Sequence, residues 1–248
     1  MAISIMNKMI QSLKALLQFS TILPLGKPAD FLEFSRRSYL YPVAGYVTGG
    51  ITIGLLFWIV NPIIRAALAV ALLLLLQGGN HFDGLLDFGD GLMTHGTPER
   101  RIQSMTDRYT GAGGISAGLS VILILFAGLG SVSLFIPLIL FGEVGAKFSV
   151  EVITVLGKPF REGIHSALNK SSKKVFLFYS ALLLLPLILL PVAPIVLLST
   201  FSCMLIIPLV MIYMAYHLFN GVNGDVAGAC HEITRALIVM SAAILLSL

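Results

Sequence analysis

Long apolar runs are the feature that most restricts what this chain can fold into. They recur from about residue 39 to the end of the 248-residue sequence, separated by short polar segments. A helix needs roughly 20 apolar residues to cross a bilayer, and several runs approach or reach that length. Because the runs are continuous rather than alternating in polarity, they predict helices and not barrel strands. Only 11 % of the residues are charged, against about a quarter in soluble domains, so the composition excludes a soluble globular protein.

We predict an all-α fold, a polytopic transmembrane helical bundle of about seven spans in a single domain covering residues 1–248. Ahead of the first span, residues 4–23 carry two lysines among apolar residues at helical spacing, which predicts an interfacial helix. The predicted spans cover approximately residues 39–60, 63–78, 115–129, 134–156, 175–190, the stretch ending near 219, and 226–246.

The distribution of charge predicts how the bundle is oriented. With seven spans, the amino-terminal arm and the polar loops 94–114, 157–174 and 220–225 fall on one side, and the opposite turns are short and nearly uncharged. Cytoplasmic loops carry an excess of Lys and Arg. We therefore expect an integral protein of the cell membrane whose active site faces the cytoplasm.

The segment NHFDGLLDFGDG, residues 80–91, is the candidate active site. If the preceding helix continues through it, Asp83, Asp87 and Asp90 recur at i, i+4 and i+7 and share one narrow face. Stacked carboxylates repel one another unless they are protonated or bound to a cation, and a hard divalent cation leaves them charged. The plainer interpretation is a polar helix end facing water, but ionisable residues at a membrane boundary are usually functional.

Two glycine-rich segments are expected near the same face. Asp107, Arg108 and the glycines at 111, 113 and 114 precede an apolar helix, where backbone N–H groups can bind a phosphate. A flexible hinge with an orientation-setting arginine explains this first segment equally well. In the second, Asn223 and Asp225 lie in a turn typical of a helix N-cap, with glycines that suit the approach of a ligand.

Two basic residues complete the candidate set. Lys147 has a glutamate four residues to either side, which predicts either ion pairs inside the bundle or a lysine in a polar cavity. Arg161 is the best anion contact in a loop whose other charges are typical of solvated, orientation-setting residues. Taken together, the parts predict metal-assisted phosphoryl transfer, with aspartates holding Mg²⁺ and basic groups neutralising phosphate charge.

Three other functions are compatible with parts of this pattern. Asn80, Asp83 and Asp87 also fit the N-x-x-D-x-x-x-D spacing of membrane prenyltransferases, but a second aspartate-rich motif is missing. CDP-alcohol phosphotransferases use similar chemistry, but their Ala-Arg pair after the first aspartates is absent. A cation-coupled transporter predicts polar residues at mid-membrane and at both faces, whereas here they gather mostly at one.

The sequence resembles the cobalamin synthase family, the adenosylcobinamide-GDP ribazoletransferases, over most of its length. Residues 81–91 are similar to the family signature H-x-D-G-x-x-D-x-x-D-G, and residues 221–229 to its carboxy-terminal G.TGD..GA motif. The segments 19–24 and 41–45 resemble its amino-terminal region, and Asp107 with Gly111 sits where the family has a KDS.IG segment. The resemblance implies an Mg²⁺-dependent enzyme in which α-ribazole, or its 5′-phosphate, attacks adenosylcobinamide-GDP and releases GMP.

With this resemblance in view, we hypothesise a role for each residue. Asp83, Asp87 and Asp90 bind the metal, with Asp90 the candidate base for the attacking hydroxyl, and Asp107 places the nucleophile or a second metal. The residues expected to contact phosphate, ribose or base are Asn80, His81, Arg108, Lys147, Arg161, Asn223 and Asp225. The expected partners are the corrinoid-GDP and α-ribazole substrates and the lipid bilayer, with no nucleic acid. The sequence leaves a homo-oligomer open.

Overall fold

The computed structural model describes residues 2–247, with side chains from residue 6 onward, and no strand occurs in that range. The predicted all-α class is confirmed. A short 3₁₀ turn, Ser38–Leu40, leads into α3. The helices in chain order are α1 (Ala2–Ser20), α2 (Phe31–Ser35), α3 (Tyr41–Leu56), α4 (Pro62–Leu76), α5 (Asn80–Met93), α6 (Pro98–Met105), α7 (Ala112–Ser131), α8 (Phe135–Leu156), α9 (Ile164–Ser171), α10 (Val175–Leu182), α11 (Leu185–Ile188), α12 (Pro194–Phe219) and α13 (Gly224–Leu246).

Four of these helices are long and apolar enough to cross a membrane: α3 together with its 3₁₀ turn, α7, α12 and α13. The pair α4 and α5 meets the same description as a fifth, although the two axes differ by 93°. The expected number of about seven spans is therefore not confirmed. One predicted span, α8, has 22 residues in one continuous helix but carries three charged side chains.

The predicted span at 175–190 is broken into two short helices. α10 ends at Leu182 and α11 covers only four residues, with Pro186 in its first turn. Proline fits the first turn of a helix but lacks the N–H that a continuous helix requires at that point. This segment is therefore not one straight span.

A pair of glycines separates α4 from the aspartate motif. Gly78 and Gly79 have φ angles of 64° and 73°, in the left-handed region that favours glycine. The spanning helix does not continue through the motif, because the chain turns here and starts a new helix. Within α5, however, the motif is helical throughout, so Asp83, Asp87 and Asp90 do recur at i, i+4 and i+7.

Glycines, which have no side chain, allow the backbone of α5 to approach the backbones of two neighbouring helices closely. A Cβ added at Gly84 would lie 3.0 Å from the Cα of Asp225, and one at Gly228 would lie 2.9 Å from the carbonyl oxygen of His81. On the other side, a Cβ at Gly89 would lie 2.8 Å from the carbonyl oxygen of Gly113. Small residues at helix crossings permit this close approach. α5 is thus held between α13 and α7, with Asp225 beside the aspartate stripe.

At the centre of the bundle is α8, which packs between α3 and α13 and has 18 of its 22 residues buried. A smaller apolar cluster joins the amino-terminal helix α1 to α2 and α3 through Leu16, Phe34 and Tyr41. The predicted amino-terminal helix is present, and it forms one wall of the cavity described below.

Candidate active site

Three carboxylates lie in one region of the molecule where α5 crosses the start of α13. The charged groups acting on Asp87 are the carboxylates of Asp225, Asp83 and Asp90 and the guanidinium of Arg161. Asp83 is exposed and Asp87 half-buried, and among the described residues no hydrogen-bond donor contacts either side chain. We call Asp83, Asp87 and Asp225 the acidic rim. Its members come from the motifs at 81–91 and 221–229, which lie far apart in the sequence.

The turn before α13 fixes the position of Asp225. Asn223 caps the helix, because its Oδ1 accepts a hydrogen bond from the N–H of Val226, and its Nδ2 donates to Asp225 at 2.6 Å. The sequence pattern placed this cap at Asp225, so the cap lies two residues earlier than predicted. With both ends of its amide engaged and only 4 % of the residue exposed, Asn223 positions Asp225 and is not free to bind a ligand.

A backbone contact brings Arg161 to the same place. The N–H of Val222 donates to the carbonyl of Lys158, and the N–H of Phe160 donates to the carbonyl of Val222. These bonds hold the loop after α8 against the turn before α13, and they leave Arg161 Nη2 3.6 Å from Asp225 Oδ2. Because 48 % of the arginine side chain is exposed, it remains accessible to an anion.

Asp90 has a different environment from its two neighbours on the stripe. It is buried, and its two oxygens accept hydrogen bonds from the N–H groups of Gly111 at 2.7 Å and Gly114 at 2.8 Å. Gly111 is the N-cap residue of α7 and has no side chain to satisfy that helix end, so Asp90 does so from α5. Two of the N–H groups expected to face a phosphate are therefore already engaged.

The structure does not bring the other loop candidates to the rim. Asp107 and Arg108 are exposed between α6 and α7, and Asp107 accepts a hydrogen bond from the N–H of Tyr109 within its own loop. Within the described residues, no contact of either side chain with the acidic rim is present.

A cavity of about 530 Å³ adjoins the acidic rim and is enclosed by helices α1, α3, α5, α8, α9 and α13. One end is polar and is lined by Asn80, His81, Asp83 and Asp225. The other end is lined by the apolar cluster of Phe19, Tyr41, Val150 and Leu168, with the polar side chains of Gln18, Thr154 and His165 beside it. Three of the predicted substrate contacts, Asn80, His81 and Asp225, line this one cavity, and their contact with a substrate stays a prediction.

His81 connects this cavity to the lysine predicted from the sequence. Its Nε2 lies 3.4 Å from Lys147 Nζ, and its ring stacks on that of His231 with centroids 4.2 Å apart. A protonated lysine only donates, so Nε2 accepts and the imidazole proton sits on Nδ1. That Nδ1 is buried with no partner among the described residues. Lys147 is itself fully buried, so it acts on the cavity through His81 rather than by lining it.

Deeper in the bundle, four charged side chains form what we call the buried network: Glu143, Lys147, Glu232 and Arg235. Arg235 Nη1 donates to Glu143 Oε1 at 3.0 Å, and its Nη2 donates to Glu232. Glu143 also accepts hydrogen bonds from Thr48 at 2.5 Å and Gln77 at 3.0 Å. All four residues are at most 2 % exposed.

Sequence reasoning missed the partner of Glu143, which is Arg235 rather than Lys147. The available signal was a glutamate and an arginine three residues apart, at 232 and 235, inside an otherwise apolar run. The remaining member of the predicted trio, Glu151, accepts a hydrogen bond from Ser38 at 3.1 Å.

One further histidine lies at the cavity wall. His165 in α9 is buried, and its Nε2 lies 2.8 Å from the carbonyl oxygen of Gly157. A carbonyl only accepts, so Nε2 carries the proton and Nδ1 keeps a free lone pair. Burial lowers the pKa of His165, so the ring is neutral near pH 7.

This fold and site define a helical membrane protein with an acid-lined cavity at one end of its bundle. The chain belongs to the cobalamin-5-phosphate synthase family, whose model matches residues 12–243. It is therefore a transferase of cobalamin biosynthesis.

Named relatives cover nearly the whole chain. An adenosylcobinamide-GDP ribazoletransferase of Methanocella arvoryzae is 35 % identical over 95 % of this chain and 97 % of its own length. Enzymes of the same name from Deinococcus radiodurans, 34 % identical over 92 % and 85 %, and Methanosarcina mazei, 30 % identical over 98 % and 96 %, are similar to it as well. No solved structure matches the chain.

Proposed function

We propose that this enzyme joins adenosylcobinamide-GDP to α-ribazole or to α-ribazole 5′-phosphate. The ribose hydroxyl forms a bond to the phosphorus attached to cobinamide, the bond from that phosphorus to the GMP oxygen breaks, and the hydroxyl proton is released. The products are adenosylcobalamin, or its 5′-phosphate, and GMP. The observation that carries the proposal is the acidic rim beside the cavity, assembled from the two family motifs at 81–91 and 221–229.

Mg²⁺ is part of the proposal, with the acidic rim as its site. Asp83 and Asp87 offer hard carboxylate oxygens that no described residue engages, which suits this ion. Among the described residues no three His, Cys, Asp or Glu side chains converge as a ready-made metal site. Mg²⁺ usually takes one or two carboxylates together with substrate phosphates, so the rim is compatible with it. When bound, the ion would supply positive charge to the diphosphate.

The geometry revises the roles proposed for two aspartates. Asp90 was the candidate base, but its oxygens are engaged by backbone N–H groups, so we assign the proton to a carboxylate of the acidic rim. Asp225 was predicted as a substrate contact, and we assign it instead as the third carboxylate of the acidic rim. Arg161, close to Asp225 and half exposed, is positioned to neutralise the diphosphate of the donor.

The membrane orientation belongs to the same proposal. We place the acidic rim at the cytoplasmic face of the cell membrane, because its loops carry the basic residues that follow the positive-inside rule. Both substrates are water-soluble and reach the rim from that side.

Purified protein in detergent, supplied with adenosylcobinamide-GDP, α-ribazole and Mg²⁺, tests the proposal. We expect GMP and the corrinoid product in equal amounts by chromatography and mass spectrometry, and no product in EDTA. The rival transferases release different leaving groups, pyrophosphate from a prenyl diphosphate and CMP from a CDP-alcohol. Either of those activities without GMP release, or transport without chemical change, would overturn the proposal.

A further inference from the structure

We propose that the apolar end of the cavity is the subsite for the aromatic base of the acceptor riboside, and that the corrinoid and guanine parts of the donor remain outside it. This inference rests on the proposed function. It assigns a task to cavity residues that lie outside the motifs at 81–91 and 221–229.

The size of the cavity indicates which of the two substrates it can enclose. At about 530 Å³ it falls within the roughly 300–1,000 Å³ of pockets that enclose small molecules. A benzimidazole riboside is a compact molecule of this class. A corrin macrocycle with its amide side chains, joined to GDP, is far larger than the space enclosed. The donor therefore reaches the acidic rim from the open side, where Asp83 and Arg161 are exposed.

Rigid aromatic walls suit a flat ring. Tyr41 packs edge-on against Phe34 with centroids 5.0 Å apart, and Phe34 in turn contacts Phe19 at 5.7 Å. Aromatic rings in such arrangements stack well on another planar ring. Val150 and Leu168, both buried, complete the wall and offer apolar contact to methyl groups on the base.

The few polar groups at this end match the acceptor base better than guanine. They are the Tyr41 hydroxyl, the neighbouring Thr154 Oγ1, which is buried without a well-aligned hydrogen-bond partner among the described residues, and the free Nδ1 of His165. The Gln18 amide is already engaged with the backbone of Gly26, Lys27 and Ala29. Guanine carries several donors and acceptors on its edge, and burying them without partners costs free energy. A dimethylbenzimidazole, with one free ring nitrogen and two methyl groups, needs few polar partners.

The polarity of the cavity also orients the riboside. With the base among Phe19, Tyr41 and Leu168, the ribose extends toward the polar end, where Asp83 and Asp225 lie. That end is where the attacking hydroxyl has to meet the phosphorus of the donor. The two ends of the cavity thus correspond to the two ends of the acceptor.

Narrowing the cavity tests the inference. Ile164 lines it and is 58 % exposed, so Ile164→Trp adds bulk without disturbing a packed core. We expect the KM for α-ribazole to rise at least tenfold and the KM for adenosylcobinamide-GDP to change less than twofold. The KM for the riboside of unmethylated benzimidazole should rise less. The matched control is Ile63→Trp, at a residue 60 % exposed in the first turn of α4, and it should change neither constant.

A second variant tests the polar contact without changing the volume. Thr154→Val should raise the KM for α-ribazole about three- to tenfold, as expected for one lost hydrogen bond, and leave the KM for the donor unchanged. A rise in the donor KM alone would place guanine in the cavity, and unchanged constants in both variants would place the acceptor elsewhere. Either outcome overturns this inference. Absence of GMP release by the wild-type enzyme would instead overturn the proposed function.

Discussion

The acidic rim and the buried network are both built from carboxylates on neighbouring helices, yet they differ in what surrounds them. Asp83 and Asp87 are accessible and have no hydrogen-bond donor among the described residues. Glu143 and Glu232 are fully buried and share Arg235, and Glu143 has two further donors. The rim is left with negative charge to be satisfied from outside, whereas the two glutamates of the network are neutralised inside the bundle by Arg235.

This difference indicates how to separate function from structure among charged residues in a membrane protein. A buried ion pair leaves an uncompensated charge in a low-dielectric interior when one partner is removed, so its loss affects folding. An open carboxylate loses little stability when it is neutralised, so its loss affects binding and chemistry.

Neutralising the acidic rim should abolish most of the activity. We expect Asp87→Asn to lower GMP release on the order of 10³-fold, because a group that supports the developing charge at the phosphate is lost. The protein should stay folded and inserted, since Asp87 has no structural hydrogen bond to lose. Steady-state turnover together with thermal unfolding measures both. Glu162→Gln, which removes an exposed carboxylate paired with Lys170, is the control and should keep full turnover. Wild-type turnover in Asp87→Asn would refute the assignment of the rim.

Breaking the buried network should affect the fold first. Arg235→Met leaves Glu143 and Glu232 without their shared cation, and we expect a loss of about 3–5 kcal/mol in the free energy of unfolding. Unfolding by denaturant in mixed micelles measures it, with Arg100→Met at an exposed position as the control. Unchanged stability with lost turnover would show that the network belongs to the catalytic machinery and is not a structural element distinct from the rim.

Asp90 should behave like the carboxylates of the buried network, although it lies on the same helix face as Asp87. In Asp90→Asn one oxygen is replaced by an NH₂ group that faces an N–H donor of Gly111 or Gly114. We expect a loss of about 1–3 kcal/mol in stability and a smaller fall in turnover than in Asp87→Asn. Thermal unfolding and steady-state turnover, measured for both variants, give the ratio of lost stability to lost turnover in each. A stable Asp90→Asn protein with no turnover would restore Asp90 to the metal site.

The smallest effect concerns pH. Because burial lowers the pKa of His165, the unfolded chain binds a proton that the folded chain does not. Its contribution to stability is complete above the ordinary histidine pKa of about 6.5 and declines below it, by at most about 1.4 kcal/mol per pH unit. His165→Gln keeps a donor for the Gly157 carbonyl but cannot titrate. Its thermal midpoint should fall less than that of the wild type between pH 7.5 and 5.5, and parallel curves would contradict this.

Local patterns in the sequence predicted local structure well. The helical spacing of the three aspartates is confirmed within α5, and the helix predicted over residues 4–23 is present as α1. These features depend on residues within one or two turns of each other. The aspartates of the motif at 81–91 were predicted as site residues from the same local spacing.

Partners distant in the sequence were not predicted. The donors to Asp90 lie 21 and 24 residues away, and Arg235 lies 92 residues from Glu143. No periodicity specifies such pairs, because they form only when helices pack at glycine contacts. The break of 175–190 and the bend before α5 were missed because apolar composition alone does not reveal where a helix ends.

The bend at Gly78 and Gly79 has a consequence for inherited variation. The direction of the short helix α5 is set by Gly78 and Gly79, which carry no functional group. A Cβ at Gly78 would lie 2.9 Å from the Ile22 side chain. Ile22 is itself tied to the end of α4 by a hydrogen bond of 2.8 Å. A substitution at Gly78 or Gly79 would change the direction of α5 and so displace Asp83, Asp87 and Asp90 together. Alleles altered there should resemble active-site knockouts even though every chemically reactive group is intact.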